Sequence, residues 1–383
     1  MSHTFSLSNL SPARRLVGLS LLSGAALLLS ACGSSKPKPM PLEQFTPSAK
    51  VSVAWSQRLS SVKGPLTLAV ANGSVTFAGS DGKVLSLDVQ TGKERWRANV
   101  GKDLSAAVGS DGRYAAVVTT GNVLVAFDQG KELWRERQGG QVITAPLVAG
   151  ERVFVQGVDR SVRAYDVLDG RWLWNYQRPG TEPLALTASG LLSTFRDTLV
   201  VGQGARLVGL DPLRGTPRFD FVVAIPRGTN EVERLADLIG PAARIDDEMC
   251  LRAFQFSVAC VELNRGSLRW TRQQAGTKAV AANEELVVGA DGGDRLSAWR
   301  TGNGDALWRV ERFLNRGLSA PAVWGSRVAV ADAEGQLHVL AADDGRTLAR
   351  IALDGPLSAA PVVVDDLLLV ATRPGTLYAL RAN

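Results

Sequence analysis

The chain has 383 residues, 43 Lys and Arg against 37 Asp and Glu, a formal net charge of +6, 45% hydrophobic residues and 39 glycines. That length exceeds one average domain but suits a single large barrel or propeller, and the composition supplies ample core. The charges are interspersed without a Lys/Arg run, so nothing marks a nucleic-acid partner, and the two histidines, His3 and His338, argue against a His-based metal site or triad.

The first element is an address. Arg14 and Arg15 precede an apolar run from Leu16 to Ser30 broken only by small residues, the charged and greasy parts of a secretory signal. The run falls short of the roughly 20 residues that a membrane-spanning helix needs. It ends in Leu29-Ser30-Ala31-Cys32, which resembles the bacterial lipobox. Small residues before the cleaved bond fit a narrow peptidase groove. The resemblance implies removal of 1–31, a diacylglycerol on the Cys32 thiol and an acyl chain on its new amino group. Each buried CH₂ contributes about 0.8 kcal/mol, so several chains hold far better than one. Gly33 follows, not the Asp that commonly retains such lipoproteins in the inner membrane, which points to the outer membrane. Residues 32–50 then read as a lipidated cysteine and a flexible tether, with four prolines in GSSKPKPMPLEQFTPSAK. At ~3.1 Å per residue it would stand a domain off by up to about 55 Å.

From Val51 onward one pattern repeats. Asp88 is followed by Gly92 and Trp96, and the same frame fits Asp166-Gly170-Trp174, Asp211-Gly215-Phe219, Glu262-Gly266-Trp270 and Arg300-Gly304-Trp308. Ala341-Gly345-Ala349 fits more weakly, and Asp128-Gly130-Trp134 has a turn two residues shorter. An eighth copy ends the chain at Arg381, where no room remains for its Gly and Trp. Small residues stand two before most anchors (Ser86, Ala126, Ala164, Gly209, Cys260, Ala298), and Val339 stands there in the weak copy. A period near 42 residues with short strands predicts propeller blades. The fold expected for 51–383 is therefore all-β: an eight-bladed β-propeller of four-stranded antiparallel blades. Trp55, on the alternating stretch 51–59, replaces the missing last tryptophan if the N-terminal strand completes the C-terminal blade and closes the ring. One large ring per repeat is what docking blade on blade requires. Asp-x-x-x-Gly is turn chemistry, with Asp bonding the local backbone and Gly taking positive φ.

The stretch DVQTGKERW at 88–96 resembles the tryptophan-docking repeat of quinoprotein-type propellers. Eight copies, a lipobox and little else resemble the BamB family, lipoprotein subunits of the outer-membrane β-barrel assembly machinery. That resemblance implies a non-catalytic adaptor with no cofactor, held by its lipid at the outer membrane and facing the periplasm. It implies binding to the POTRA domains of BamA, with unfolded outer-membrane proteins as further partners. The alternatives are a periplasmic quinoprotein-type dehydrogenase, for which no vicinal cysteine pair is present, and a polysaccharide-binding propeller.

Most anchors lie 38–41 residues apart, but 166 to 211 spans 45 and 211 to 262 spans 51. The extra residues fall in 178–190 and 225–246, where Leu184, Leu186, Leu235, Leu238 and Ile239 stand among charges. Insertions in neighbouring blades form one patch, and apolar residues ringed by charge suit a protein interface. EVERLADLI, 231–239, reads as a helical turn, a strand or a loop. The family resemblance assigns partner binding to Leu184, Leu186, Arg234, Leu235 and Asp237. Thr187 stands where an arginine is implied, and Ile239 where a second acid is implied.

Cys250 and Cys260 flank a predicted hairpin around Gln255 and Phe256. In an oxidising periplasm either a cross-strand disulfide or two buried thiols fits that spacing.

Overall fold

The computed structural model describes residues 37–64, 67–179, 186, 190–226, 229–230 and 235–382. The signal segment, Cys32, Leu184, Thr187 and Arg234 lie outside them. Residues from Met40 onward make one compact unit.

Among the described residues there are 32 strands and no helix, and the strands form eight sheets of four. In the first blade, β2 (Ala69–Ala71), β3 (Ser74–Ala78), β4 (Lys83–Asp88) and β5 (Glu94–Asn99) follow one another in order. β3 is buried throughout, as is β4 between its end residues, while β5 buries Trp96 and exposes most of the rest. Middle strands are covered on both faces by neighbouring blades, so they read as unbroken apolar or small runs. The other blades cover 104–137, 147–176, 192–222, 238–273, 281–310 and 322–352. The eighth joins 362–382 to β1 (Val51–Arg58), with Val51 opposite Ala382 and Arg58 opposite Thr376. The ring is closed by its own N-terminal strand, as the repeat count predicts, so no blade is left one strand short.

Tryptophans dock most blades on the next, and Phe219 lies against Gly266 in a blade without one. Trp55 Nε1 donates to Val89 O at 3.0 Å, Trp134 to Val167 O at 2.8 Å, Trp174 to Pro212 O at 3.0 Å, Trp270 to Thr301 O at 2.7 Å and Trp308 to Ala342 O at 2.7 Å. The acceptor is always the residue after the next blade's anchor. The ring lies against that repeat's glycine: a Cβ on Gly92 would sit 2.6 Å from Trp55, and one on Gly170 2.6 Å from Trp134. Glycine is thus required twice over, by a positive φ and by the ring. Trp96 is the exception. Its target turn is the short one, Asp128 to Lys131, and its buried Nε1 finds no partner. The small residues before each anchor also acquire a sharper reason. Ser86, Ala126, Ala164, Cys260 and Ala298 pair directly across the sheet with Trp96, Trp134, Trp174, Trp270 and Trp308, and Gly209 pairs with Phe219.

Strand alternation gives the ring two faces. The turns between third and fourth strands, which carry Asp-x-x-x-Gly, share one face with the turns between first and second strands. The turns between second and third strands, and the connections from blade to blade, share the other, called here the connection face.

Cys250 and Cys260 are direct partners on β19 (Glu248–Ala253) and β20 (Ser257–Glu262), both fully buried, and are joined as a disulfide. The protein unfolded without reductant should therefore react with no thiol reagent at these positions. Two titratable thiols would contradict the bridge. Replacing both with Ala should cost about 2–4 kcal/mol.

Residues 40–50 depart from the tether expectation. Met40 N donates to Leu314 O at 2.9 Å, and Arg316 Nη1 donates to Met40 O at 2.7 Å. Glu43 pairs with Arg312 at 3.1 Å and accepts from Thr347 Oγ1 at 2.7 Å. The Arg350 guanidinium lies over Phe45 and donates to Glu43 O. Ser48 N and Ala49 N both donate to Leu348 O. Proline content reads as tether, but Met40, Glu43 and Phe45 supply anchors that composition averages away.

Behind Met40 lies a buried cluster. Arg316 Nε donates to Asp332 Oδ2 at 2.8 Å, and His338 Nε2 lies 3.1 Å from the same oxygen. Burial alone would raise the Asp332 pKa, but His338, the Gln336 amide and Arg316 outweigh it and hold it below its ordinary value. The resulting stabilisation is complete above the ordinary value of 3.8 and is lost as pH falls through the lower folded value. Asp332→Asn should thus flatten the acid limb of the stability–pH curve, measured by denaturant unfolding at stepped pH. An unchanged limb would show that the cluster carries none of the acid sensitivity.

Candidate partner-binding site

Both long inserts are blade-to-blade connections. One follows β13 (Trp172–Tyr176), the other β17 (Pro217–Val222), so both lie on the connection face. The turn between β11 (Arg152–Gln156) and β12 (Val162–Asp166) lies on that face too, and it carries Arg160.

Asp237 ties these three segments together. Its Oδ1 accepts from Arg160 Nη2 at 2.7 Å, and its Oδ2 accepts from the Leu186 amide at 2.7 Å. The two charged side chains are 9% and 15% exposed, so the pair is largely shielded from water. Arg160 is fixed in turn, since Gln203 donates to its carbonyl at 2.9 Å. Gly190, at the end of the first insert, bridges to Ile239 and takes a hydrogen bond acceptor in Thr144 Oγ1 at 2.9 Å. A cavity of about 40 Å³ remains among Thr144, Gln156, Arg160, Leu186 and Asp237. Gly240 is needed here because a Cβ would lie 2.6 Å from Gly190 O. The two inserts are therefore fastened to each other and to blade three.

The predicted residues divide accordingly. Leu186 and Leu235 are half-buried beside this fastening, and Asp237 is the fastening itself. Leu184 and Arg234 lie outside the described residues. Leu238 and Ile239 correct the surface reading: they are 2% and 5% exposed and open β18 (Leu238–Ile245), opposite Ala253 and Arg252. They read as insert because the anchor spacing does not reveal where the next inner strand begins. EVERLADLI is accordingly not helical at its described end: its last two residues are strand. Ile239 occupies a core position directly across the sheet from Arg252.

Two residues escape a sequence search centred on leucines. Ile225, 74% exposed, opens the second insert and is the most exposed large apolar side chain among those described. Arg160 stands in an ordinary-looking hairpin, VDRS, and only its positive φ and its contact across 77 residues give it away.

Comparison with known proteins agrees with this architecture. The sequence model of the family described as "Outer membrane protein assembly factor BamB" matches residues 80–310 and 293–383. A protein of that name from Burkholderia pseudomallei is 34% identical over 367 residues, covering 94% of this chain and 96% of the relative. The chain belongs to the BamB family. The crystal structure of BamB from Moraxella catarrhalis superposes with a TM-score of 0.76 at 22% identity, over 87% of this chain and 100% of that one. Quinohemoprotein alcohol dehydrogenase from Comamonas testosteroni superposes with a TM-score of 0.63 at 17% identity, over 86% of this chain and 76% of that enzyme. At that identity it shares the fold alone. BamB relatives are named as assembly factors, not as enzymes.

Proposed function

We propose that this chain is a non-catalytic adaptor in outer-membrane protein assembly, lipid-anchored through Cys32, and that its connection face at blades three to five binds the POTRA domains of BamA. The observation that carries the reading is Asp237, which ties its own end of the second insert to Leu186 of the first and to Arg160. Loops on a closed ring serve recognition best when their geometry is fixed before contact, because less ordering is left to be done on binding. Leu186, Leu235 and Ile225 supply apolar surface there, and the family resemblance adds Leu184 and Arg234 to the binding residues. Family membership supports assembly as the task, and the apolar patch supports a protein partner in preference to a sugar or quinone. The same face would bring BamA close enough for unfolded outer-membrane clients to meet exposed strand edges on the rim, a pairing that uses main-chain hydrogen bonds.

Replacing Leu184 and Leu186 together with Ala should weaken binding of purified POTRA domains by about tenfold, equivalent to ~1.4 kcal/mol. The thermal midpoint of the ring should stay put. Unchanged affinity in a titration of the double variant would remove these leucines from the interface.

A further inference from the structure

We infer that residues 40–49 are a docked strap that turns the connection face, and with it the Asp237 patch, toward the lipid bilayer. This rests on the reading that Cys32 carries the lipid. The strap starts at Met40, which is bonded to Leu314 and Arg316 in the connection between the sixth and seventh blades. It then runs along the outer strand β29 (Thr347–Ala352), past Thr347 and Arg350, to Leu348. From there the chain enters β1, which begins on the opposite face beside Ala382. The strap therefore spans the height of the blade, and its hold at Met40 lies on the connection face.

The hold at Met40 is built, not incidental. Arg316 is 4% exposed and Asp332 1%, and Arg316 divides its donors among Asp332, Glu334 and the Met40 carbonyl. A buried guanidinium aimed at one backbone carbonyl fixes where that carbonyl sits. Glu43 is gripped by Arg312 and Thr347, and Phe45 lies under Arg350. Met40 stands eight residue steps after Cys32, so the lipid lies at most about 28 Å from the docking point. A strand of six residues is ~20 Å long, so the two faces stand at clearly different heights above the bilayer.

The test uses the lipidated full chain on vesicles of phosphatidylethanolamine and phosphatidylglycerol that contain an acceptor-labelled lipid. Lys93 and Lys102 are exposed and sit just beyond the two ends of β5, Lys102 on the connection face and Lys93 on the other. A donor dye on Lys102→Cys should transfer energy at least about twofold more strongly than one on Lys93→Cys, given that ~20 Å offset. The triple change Met40→Pro, Glu43→Ala and Phe45→Ala removes strap contacts without touching Arg316 or Asp332, and should bring the two signals together. Equal transfer in the unaltered strap, stronger transfer from Lys93→Cys, or an asymmetry that survives the triple change would each overturn the inference. Intact mass separates this from the anchor reading: an unmodified Cys32 sinks both, whereas a lipidated protein with equal transfer sinks the strap alone.

Discussion

Asp237→Ala is expected to abolish most of the affinity for BamA, a loss of more than about tenfold, or ~1.4 kcal/mol, in the same titration used for the leucines. The carboxylate makes two charge-assisted bonds, one to each side of the patch. Its removal takes a carboxylate away from a largely shielded guanidinium, and breaking a buried pair from one side costs up to about 3–5 kcal/mol. Arg160→Met combined with Asp237→Leu separates the two roles. With both charges gone, part of the stability lost in Asp237→Ala should return. The Leu186 amide still lacks its acceptor, so the affinity should remain low. If the double change restores affinity together with stability, the carboxylate only balances a charge and does not position the first insert.

The second large effect lies between blades. Trp270→Ala should destabilise the ring by about 3–5 kcal/mol, the usual cost of emptying a buried indole site. A finer comparison uses phenylalanine. Trp270 and Trp96 are almost equally buried, at 6% and 8% exposure. Trp270 Nε1 has Thr301 O, whereas Trp96 Nε1 has no acceptor. Trp270→Phe strands an acceptor and Trp96→Phe removes a stranded donor, so the first should be the more destabilising by about 1–3 kcal/mol. Denaturant midpoints of the two variants decide it, and equal losses would mean that the indole bond contributes nothing to docking.

That contrast was already written in the chain. Asp128-Gln-Gly130 is two residues shorter than Asp88-to-Gly92, and Gln129 and Gly130 both take positive φ in a two-residue hairpin. The carbonyl that other tryptophans use is absent from that geometry. Blades, anchors, ring closure and the facing of Cys250 on Cys260 were legible because each is periodic or local. The site was legible only in part. Anchor spacing located both inserts, but it could not tell insert from strand at Leu238 and Ile239. It could not show that Asp237 reaches back to Arg160, because that pair joins non-adjacent blades and obeys no period. The buried Arg252 shows the same limit. Burial pushes its pKa down to about 10, and its guanidinium is held by Gln274 and the Ala290 carbonyl, an arrangement with no sequence signature. The strap was hidden for a different reason: four prolines outweighed three anchoring residues, one of which, Met40, holds by its backbone.

The central claim is that the connection face at blades three to five grips BamA. It is tested most directly by affinity capture of the tagged, lipidated chain from outer membranes, with bound proteins identified by mass. Three forms are compared: the unaltered chain, Leu184→Ala with Leu186→Ala and Asp237→Ala, and Leu168→Ser with Leu213→Ser on exposed turns of the opposite face. BamA should come with the first and third and be lost from the second. BamA retained by the second and lost from the third would contradict it.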